Sequence, residues 1–117
     1  MEKVFFFGFL LVVFALAQGT TVKVANTMGP GVTVSIKCAS GDDTIPEKSL
    51  QDGQDITWSF TGYPWTLFYC DVATSDGKSQ HWDVYKDFWG DVGWFLRGDG
   101  IYKGNLDGSG INKDISW

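Results

Sequence analysis

Val32-Thr33-Val34-Ser35-Ile36-Lys37-Cys38 alternates apolar and polar side chains without a break, and this alternation decides the fold class. Successive side chains of a strand point to opposite faces, so Val32, Val34, Ile36 and Cys38 share one face while Thr33, Ser35 and Lys37 share the other. The same period of two recurs on either side. Val22 and Val24 form an earlier run closed by Asn26, and Ile56, Trp58 and Phe60 form a later one ended by Gly62-Tyr63-Pro64. Gly29-Pro30-Gly31 lies between the first two runs and predicts an antiparallel hairpin joining them.

Further along, Ser40 to Lys48 is polar, contains Pro46 and reads as a loop, with Leu50 tucked inward before an Asp52-Gly53 turn. Trp65 to Val72 is bulky on both parities, as in a strand covered on both faces. Ser75-Asp76-Gly77 then turns the chain into a strand with Trp82 and Val84 opposite His81, Asp83 and Tyr85. Trp94 to Arg97, Gly98-Asp99-Gly100 and Ile101 to Lys103 predict a second hairpin. After Asp107-Gly108-Ser109-Gly110, Ile115-Ser116-Trp117 adds a terminal strand, whose closing Trp should be packed rather than free. About eight short strands without helical periodicity indicate an all-β protein, an antiparallel β-sandwich or barrel.

Residues 1–17 read differently from the rest. Lys3, an apolar run from Val4 to Phe14 and Ala15-Leu16-Ala17 have the form of a secretory signal cleaved before Gln18. The run is well short of the ~20 residues that span a bilayer, so no stable membrane insertion is expected after cleavage. Residues 18–117 then form a single domain. Five of the nine Phe leave with the leader, and the core falls to six Trp, four Tyr and Phe60, Phe68, Phe88 and Phe95.

A domain of this length buries only roughly 60 to 65% of its unfolded surface and benefits from a covalent staple. Cys38 and Cys70 are the two cysteines of the chain. In a secreted protein they allow one intramolecular disulfide, closing a loop worth about 3.5 to 4 kcal/mol in the chain-entropy model. A metal pair or a reactive thiol would need Cys or His neighbours that the sequence does not supply.

The formal net charge is -5, and no basic cluster interrupts it, which argues against a nucleic-acid partner. Enzymatic constellations are thin. His81 is the single histidine, so a two-histidine phosphodiesterase is excluded, and no Gly-x-Ser-x-Gly elbow accompanies a Ser-His-Asp set built on His81 and Asp83. Among Asp42, Asp43, Glu47, Asp83, Asp87, Asp91 and Asp99, three (Asp42, Asp91 and Asp99) sit directly beside glycines in turns, where Asp serves the backbone. Asp107-Gly108-Ser109-Gly110 lacks the spacing and closing Glu of a calcium loop, and neither metal nor cofactor is expected. One alternative to a recognition protein is a secreted cell-wall carbohydrate-binding module, with Trp65, Trp82, Trp89 and Trp94 as candidate sugar platforms.

The order of several blocks resembles the plant self-incompatibility protein S1 family, the S-protein homologues. The blocks are Val22-Lys23-Val24-Ala25-Asn26, Ile36-Lys37-Cys38-Ala39-Ser40, Gly53 leading to Trp58-Ser59-Phe60, Thr66-Leu67-Phe68-Tyr69-Cys70-Asp71, Trp82-Asp83-Val84-Tyr85, and Trp94 followed by Asp99-Gly100-Ile101-Tyr102. Trp117 is also in keeping. Members of the family usually carry a second cysteine pair as Cys-x-x-Cys-x-Trp; here those positions are Trp89 and Val92. The resemblance therefore leaves two pairings open. Either Cys38 and Cys70 bond and Trp89 and Val92 replace the second staple by packing, or the family pairing crosses between sets and leaves both thiols of this chain unpartnered.

The resemblance implies a secreted, non-catalytic β-sandwich of about eight strands that acts as an extracellular ligand. The family's best-understood role is a pistil-expressed ligand perceived by pollen in self-recognition. On that basis the expected partner is a plasma-membrane receptor and the expected state a monomer. The polar loops Ser40 to Lys48, Ala73 to Ser79 and Lys86 to Asp91 would carry recognition, because loops vary while strands hold the scaffold. Asp42, Asp43, Glu47, Asp76, Lys78, Asp87 and Asp91 are the candidate receptor contacts, and their acidity would steer the protein to a basic surface.

Overall fold

Two sheets, folded face to face, divide nine strands between them in a computed structural model that describes residues 17–117. In chain order the strands are β1 (Gln18–Asn26), β2 (Val34–Ala39), β3 (Thr44–Leu50), β4 (Asp55–Gly62), β5 (Phe68–Thr74), β6 (Ser79–Tyr85), β7 (Val92–Arg97), β8 (Gly100–Gly104) and β9 (Asn112–Ile115). One sheet runs β4-β1-β7-β8-β9 and the other β3-β2-β5-β6. All neighbours are antiparallel except β1 and β7, which run parallel. The leader expected over residues 1–17 lies, apart from Ala17, outside the described residues.

The core is the sum of the inward parities. Val22 and Val24 of β1, Val34 and Ile36 of β2, Val72 of β5, Val84 of β6, and Trp94 and Leu96 of β7 meet between the sheets. Cys38 and Cys70 are directly opposed across β2 and β5 with Cα atoms 4.1 Å apart, and they form the disulfide within the buried face. The crossed-pairing alternative is thereby removed. Trp89 packs on the core beside Trp94 and Tyr85, with ring centroids 6.5 and 6.4 Å away, while Val92 is buried. The Lys103 ammonium sits 3.2 Å from the centroid of the Trp89 ring, and burial holds its pKa below the ordinary lysine value. Aromatic packing and a cation over a ring thus occupy the place where the family pattern carries a second bridge.

Sequence expectations are corrected at several points. β1 and β2 do not form a hairpin: β1 bonds to β4 and β7, β2 to β3 and β5, and the Thr27 to Thr33 segment crosses between sheets. The buried Asn26 holds this crossing. Its amide donates to the Val32 carbonyl at 2.9 Å and the Leu50 carbonyl at 2.8 Å, and its Oδ1 accepts from the Met28 N–H at 2.9 Å.

The stretch read as a loop to Lys48 is a turn followed by edge strand β3, which bonds to β2 despite exposing most of its side chains. It is the ninth strand beyond the eight expected. Leu50 is buried, as expected.

Nor is Trp65 to Val72 a strand covered on both faces; β5 begins at Phe68 and alternates buried with exposed positions, while residues 65–67 belong to a loop. The terminal strand lies slightly earlier than Ile115–Trp117. Trp117 is nevertheless held, its indole donating to the Arg97 carbonyl at 2.6 Å.

β7 is buried on both faces because residues 105–111 fold back over the outer side of its sheet. Gly93 is required there: a β-carbon would lie 2.5 Å from the Asn105 carbonyl oxygen.

Candidate functional site

Strand register sorts the loops to two ends of the sandwich. Ala39 pairs with both Thr44 and Tyr69, Gln18 with Gly62, Phe68 with Tyr85, Val22 with Val92, and Gly93 with Gly104. The loops 40–43, 63–67, 86–91 and 105–111 therefore emerge at one end. The segments 27–33, 51–54, 75–78 and 98–99 emerge at the other.

The first end holds an open hollow of about 640 Å³ between the β2–β3 turn and the β4–β5 loop. Phe60, Phe68 and Tyr69 are among the residues that line it. Tyr63, Trp65 and Leu67, the exposed large apolar residues of the described chain, all belong to the β4–β5 loop and line it.

The local sequence explains why these rings stay outside. Tyr63-Pro64-Trp65-Thr66 is a β-turn in which the Thr66 N–H donates to the Tyr63 carbonyl and the Tyr63 N–H donates back to the Thr66 hydroxyl, each at 3.0 Å. Proline sets the second position of such a turn. Trp65 follows it, 74% exposed, with its ring stacked on Tyr63 at 5.0 Å and an interplanar angle of 6°.

Asp42 and Asp43 line the same hollow. Their turn is closed by the Ser40 N–H on the Asp43 carbonyl at 2.8 Å, and the Ser40 hydroxyl accepts from the N–H groups of Asp42 and Asp43 at 3.3 and 3.0 Å. Among the described residues neither carboxylate has a hydrogen-bond or ion-pair partner, and no Lys or Arg lines the hollow.

The other candidate contacts are dispersed. Asp87 and Asp91 share this end on the β6–β7 loop, where Asp87 and Phe88 adopt left-handed backbone angles (φ 53° and 58°) and Asp91 accepts the Thr21 N–H at 2.8 Å. That conformation crowds a β-carbon and costs on the order of 1 kcal/mol per residue. Glu47 stands on edge strand β3 and accepts from the Ser35 hydroxyl at 2.8 Å.

Asp76 and Lys78 lie at the far end and satisfy each other at 2.6 Å. The Lys78 ammonium, with the Thr74 hydroxyl, holds the Asp76 carboxyl below its ordinary value. The seven residues therefore do not form one surface. Asp42 and Asp43 join the aromatic loop, Asp87 and Asp91 flank that end, and Glu47, Asp76 and Lys78 serve elsewhere.

Of the four candidate sugar platforms, Trp65 alone presents an open face. Trp82 and Trp94 are 5% and 1% exposed in the core, and Trp89 is covered by Lys103. His81 faces solvent on the outer parity of β6, its Nδ1 2.6 Å from an Asp71 carboxylate oxygen. Among the described residues no group of three metal-ligating side chains converges. Tyr63 was not singled out from the sequence; the signal that could have found it is the Gly62-Tyr63-Pro64-Trp65-Thr66 turn.

Comparison with known proteins adds relatives to this geometry. Residues 21–117 match the family model described as plant self-incompatibility protein S1. S-protein homolog 3 of Arabidopsis thaliana is 36% identical over 70 residues, 56% of this chain and 45% of that protein, so the chain spans about half of that relative's length. Self-incompatibility protein S1 of Papaver rhoeas is 27% identical over 90 residues, covering 69% of this chain and 65% of that protein. Among solved structures, an SPH (self-incompatibility protein homologue) protein, from a widespread family of small, highly stable, secreted plant proteins, superposes with a TM-score of 0.63. At 14% identity over 86% of this chain and 91% of that one, this likeness is one of fold.

Proposed function

The chain belongs to the plant self-incompatibility protein S1 family, and we propose from that premise that it is a recognition ligand whose surface loops engage a receptor on the plant cell surface. As a member of this family it is a secreted, extracellular protein. Its role in this reading has no chemical step; binding is the whole of its function, in self-incompatibility or a related recognition process.

The observation that supports the reading is the placement of four loops at one end of a disulfide-braced sandwich, two of which, the β2–β3 turn and the β4–β5 loop, enclose a hollow lined by exposed Tyr63 and Trp65 and by Asp42 and Asp43. A stiff scaffold lowers the entropy lost on binding, because loops fixed by their own turns are ordered before the partner arrives. Unpaired carboxylates add long-range attraction to a basic surface and raise the rate of encounter.

The test is binding of labelled secreted protein to intact plant cells. Saturable binding, displaced by unlabelled protein and abolished by stripping cell-surface proteins, is the expected result. Retention on insoluble wall glycans alone, with no saturable component at the plasma membrane, would overturn it. That second result belongs to the alternative reading, a carbohydrate-binding module, which the exposed Trp65 ring favours.

A further inference from the structure

The exposed aromatic loop and the acidic turn are parts of one hollow, and together they select a ligand chemistry. We propose that the hollow between Trp65 and the Asp42–Asp43 turn is a receptor for an arginine side chain presented by a basic segment of a protein partner. The proposal deepens the recognition reading and rests on it.

Three features carry it. Trp65 is the most exposed large apolar side chain in the described chain, at 74%, and its stacking on Tyr63 leaves a flat, electron-rich face without a covering residue. Planar guanidinium groups stack on such faces, being cationic and weakly hydrated. The same hollow is lined by Asp42 and Asp43, two carboxylates with no cation beside them among the described residues, and it contains no basic side chain to neutralise them. A guanidinium can present its flat face to the ring and its edge N–H groups to a carboxylate at the same time, whereas an ammonium is a point charge with no face.

Both walls are fixed before binding by hydrogen bonds within their own turns, at Ser40 and at Tyr63 and Thr66. A neutral sugar would stack on the ring and could donate hydroxyls to the carboxylates, but it would leave both charges unneutralised, which a guanidinium does not.

Elsewhere in the molecule cations already sit over aromatic rings, the Lys103 ammonium over Trp89 and the Arg97 guanidinium 4.7 Å from the Tyr102 centroid. At Trp65 the aromatic ring and the carboxylates are present, and the cation is left for a partner to supply.

The experiment uses the secreted protein labelled with nitrogen-15, with the Trp65 indole N–H signal assigned by its loss in Trp65→Phe. An acetylated, amidated Gly-Arg-Gly-Arg-Gly peptide is titrated in, alongside its citrulline counterpart, which has the same shape without the charge, and alongside cellohexaose. The arginine peptide should shift the Trp65 signal saturably, and the citrulline peptide should bind about tenfold more weakly or not at all. Asp42→Asn with Asp43→Asn, and separately Trp65→Ala, should each weaken the arginine peptide about tenfold without changing the unfolding midpoint.

Equal binding of the citrulline peptide, saturation by cellohexaose with no response to arginine, or shifts confined to other tryptophans would each overturn the proposal. Saturable cell binding that survives all three substitutions together would also overturn it, while leaving the ligand reading intact.

Discussion

Replacing Asn26 should unfasten the two sheets. Its side chain is wholly buried where β1 leaves one sheet and the chain crosses to the other, and it holds three backbone groups: the Val32 and Leu50 carbonyls and the Met28 N–H. The Asn26 backbone adds bonds to Gln54 and Gly53, both 2.8 Å, so the β3–β4 turn hangs on the same residue.

Three side-chain hydrogen bonds at about 1 kcal/mol each, plus about 1 to 3 kcal/mol for the buried Leu50 carbonyl left without a partner, give a loss of about 4 to 6 kcal/mol for Asn26→Ala. In a domain of this size that lowers the melting temperature by roughly 16 to 30 °C. Asn26→Asp should be worse at neutral pH, because a buried carboxylate would face two carbonyl oxygens with no proton to share. Acidification should recover part of its loss, since the protonated acid can donate to one of them.

Urea unfolding followed by tryptophan fluorescence, with the disulfide intact, measures the difference. A loss under about 1 kcal/mol for Asn26→Ala, or Asn26→Leu as stable as the parent, would refute the reasoning.

Other consequences can be measured on the same protein. The secreted form should show no free thiol before reduction and two after it, and Cys38→Ser with Cys70→Ser should cost about 3 to 4 kcal/mol; a single reactive thiol in the oxidised protein would contradict the bridge. Lys103→Gln should cost about 1 kcal/mol by removing the cation from the Trp89 ring, and Trp89→Ala about 3 kcal/mol; unchanged midpoints would show that these residues do not replace a staple.

The carboxyls of Asp76, Asp99 and Asp107 are held low by Lys78, by the Tyr102 hydroxyl and by Ser109 respectively. In the unfolded chain they take up protons first, so their stabilisation is complete above a pH of about 5 and is lost as the pH falls through the ordinary carboxyl range and below it. Asp76→Asn should therefore lose less stability than the parent between pH 6 and pH 3, and a steeper fall would contradict this assignment.

What was legible in the sequence was the inward face of β1, β2 and β4 and of Trp82 and Val84 in β6, although Tyr85, read as outward, is wholly buried; what was not legible was each strand's partner. The alternation of Val32 to Cys38 names an inward side, yet the same alternation in β1 suits a hairpin to β2 or a place in the opposite sheet. Pairing depends on Asn26 and on contacts far along the chain. β3 was hidden because an edge strand needs only one bonded neighbour, so Thr44 to Ser49 could remain polar and still join the sheet.

At the candidate site the acidic turn was legible from Asp42-Asp43. The separation of Trp65 from Trp82 and Trp94 was not, since all three are large and aromatic and only burial distinguishes a platform from a core. The bulk at Trp65 to Leu67 resembles core for the same reason; the Tyr63-Pro64 turn is what lifts it out.

In the proposed reading, recognition occurs at the end of the sandwich formed by residues 40–43 and 63–67. The most direct measurement compares displacement of labelled parent protein from intact plant cells by two folded variants. One carries Asp42→Asn, Asp43→Asn and Trp65→Ala; the other carries Asp76→Asn and Lys78→Gln at the opposite end. The account predicts that the second competes as well as the parent while the first requires at least tenfold more protein. Equal competition by both, or failure of the second alone, would contradict it.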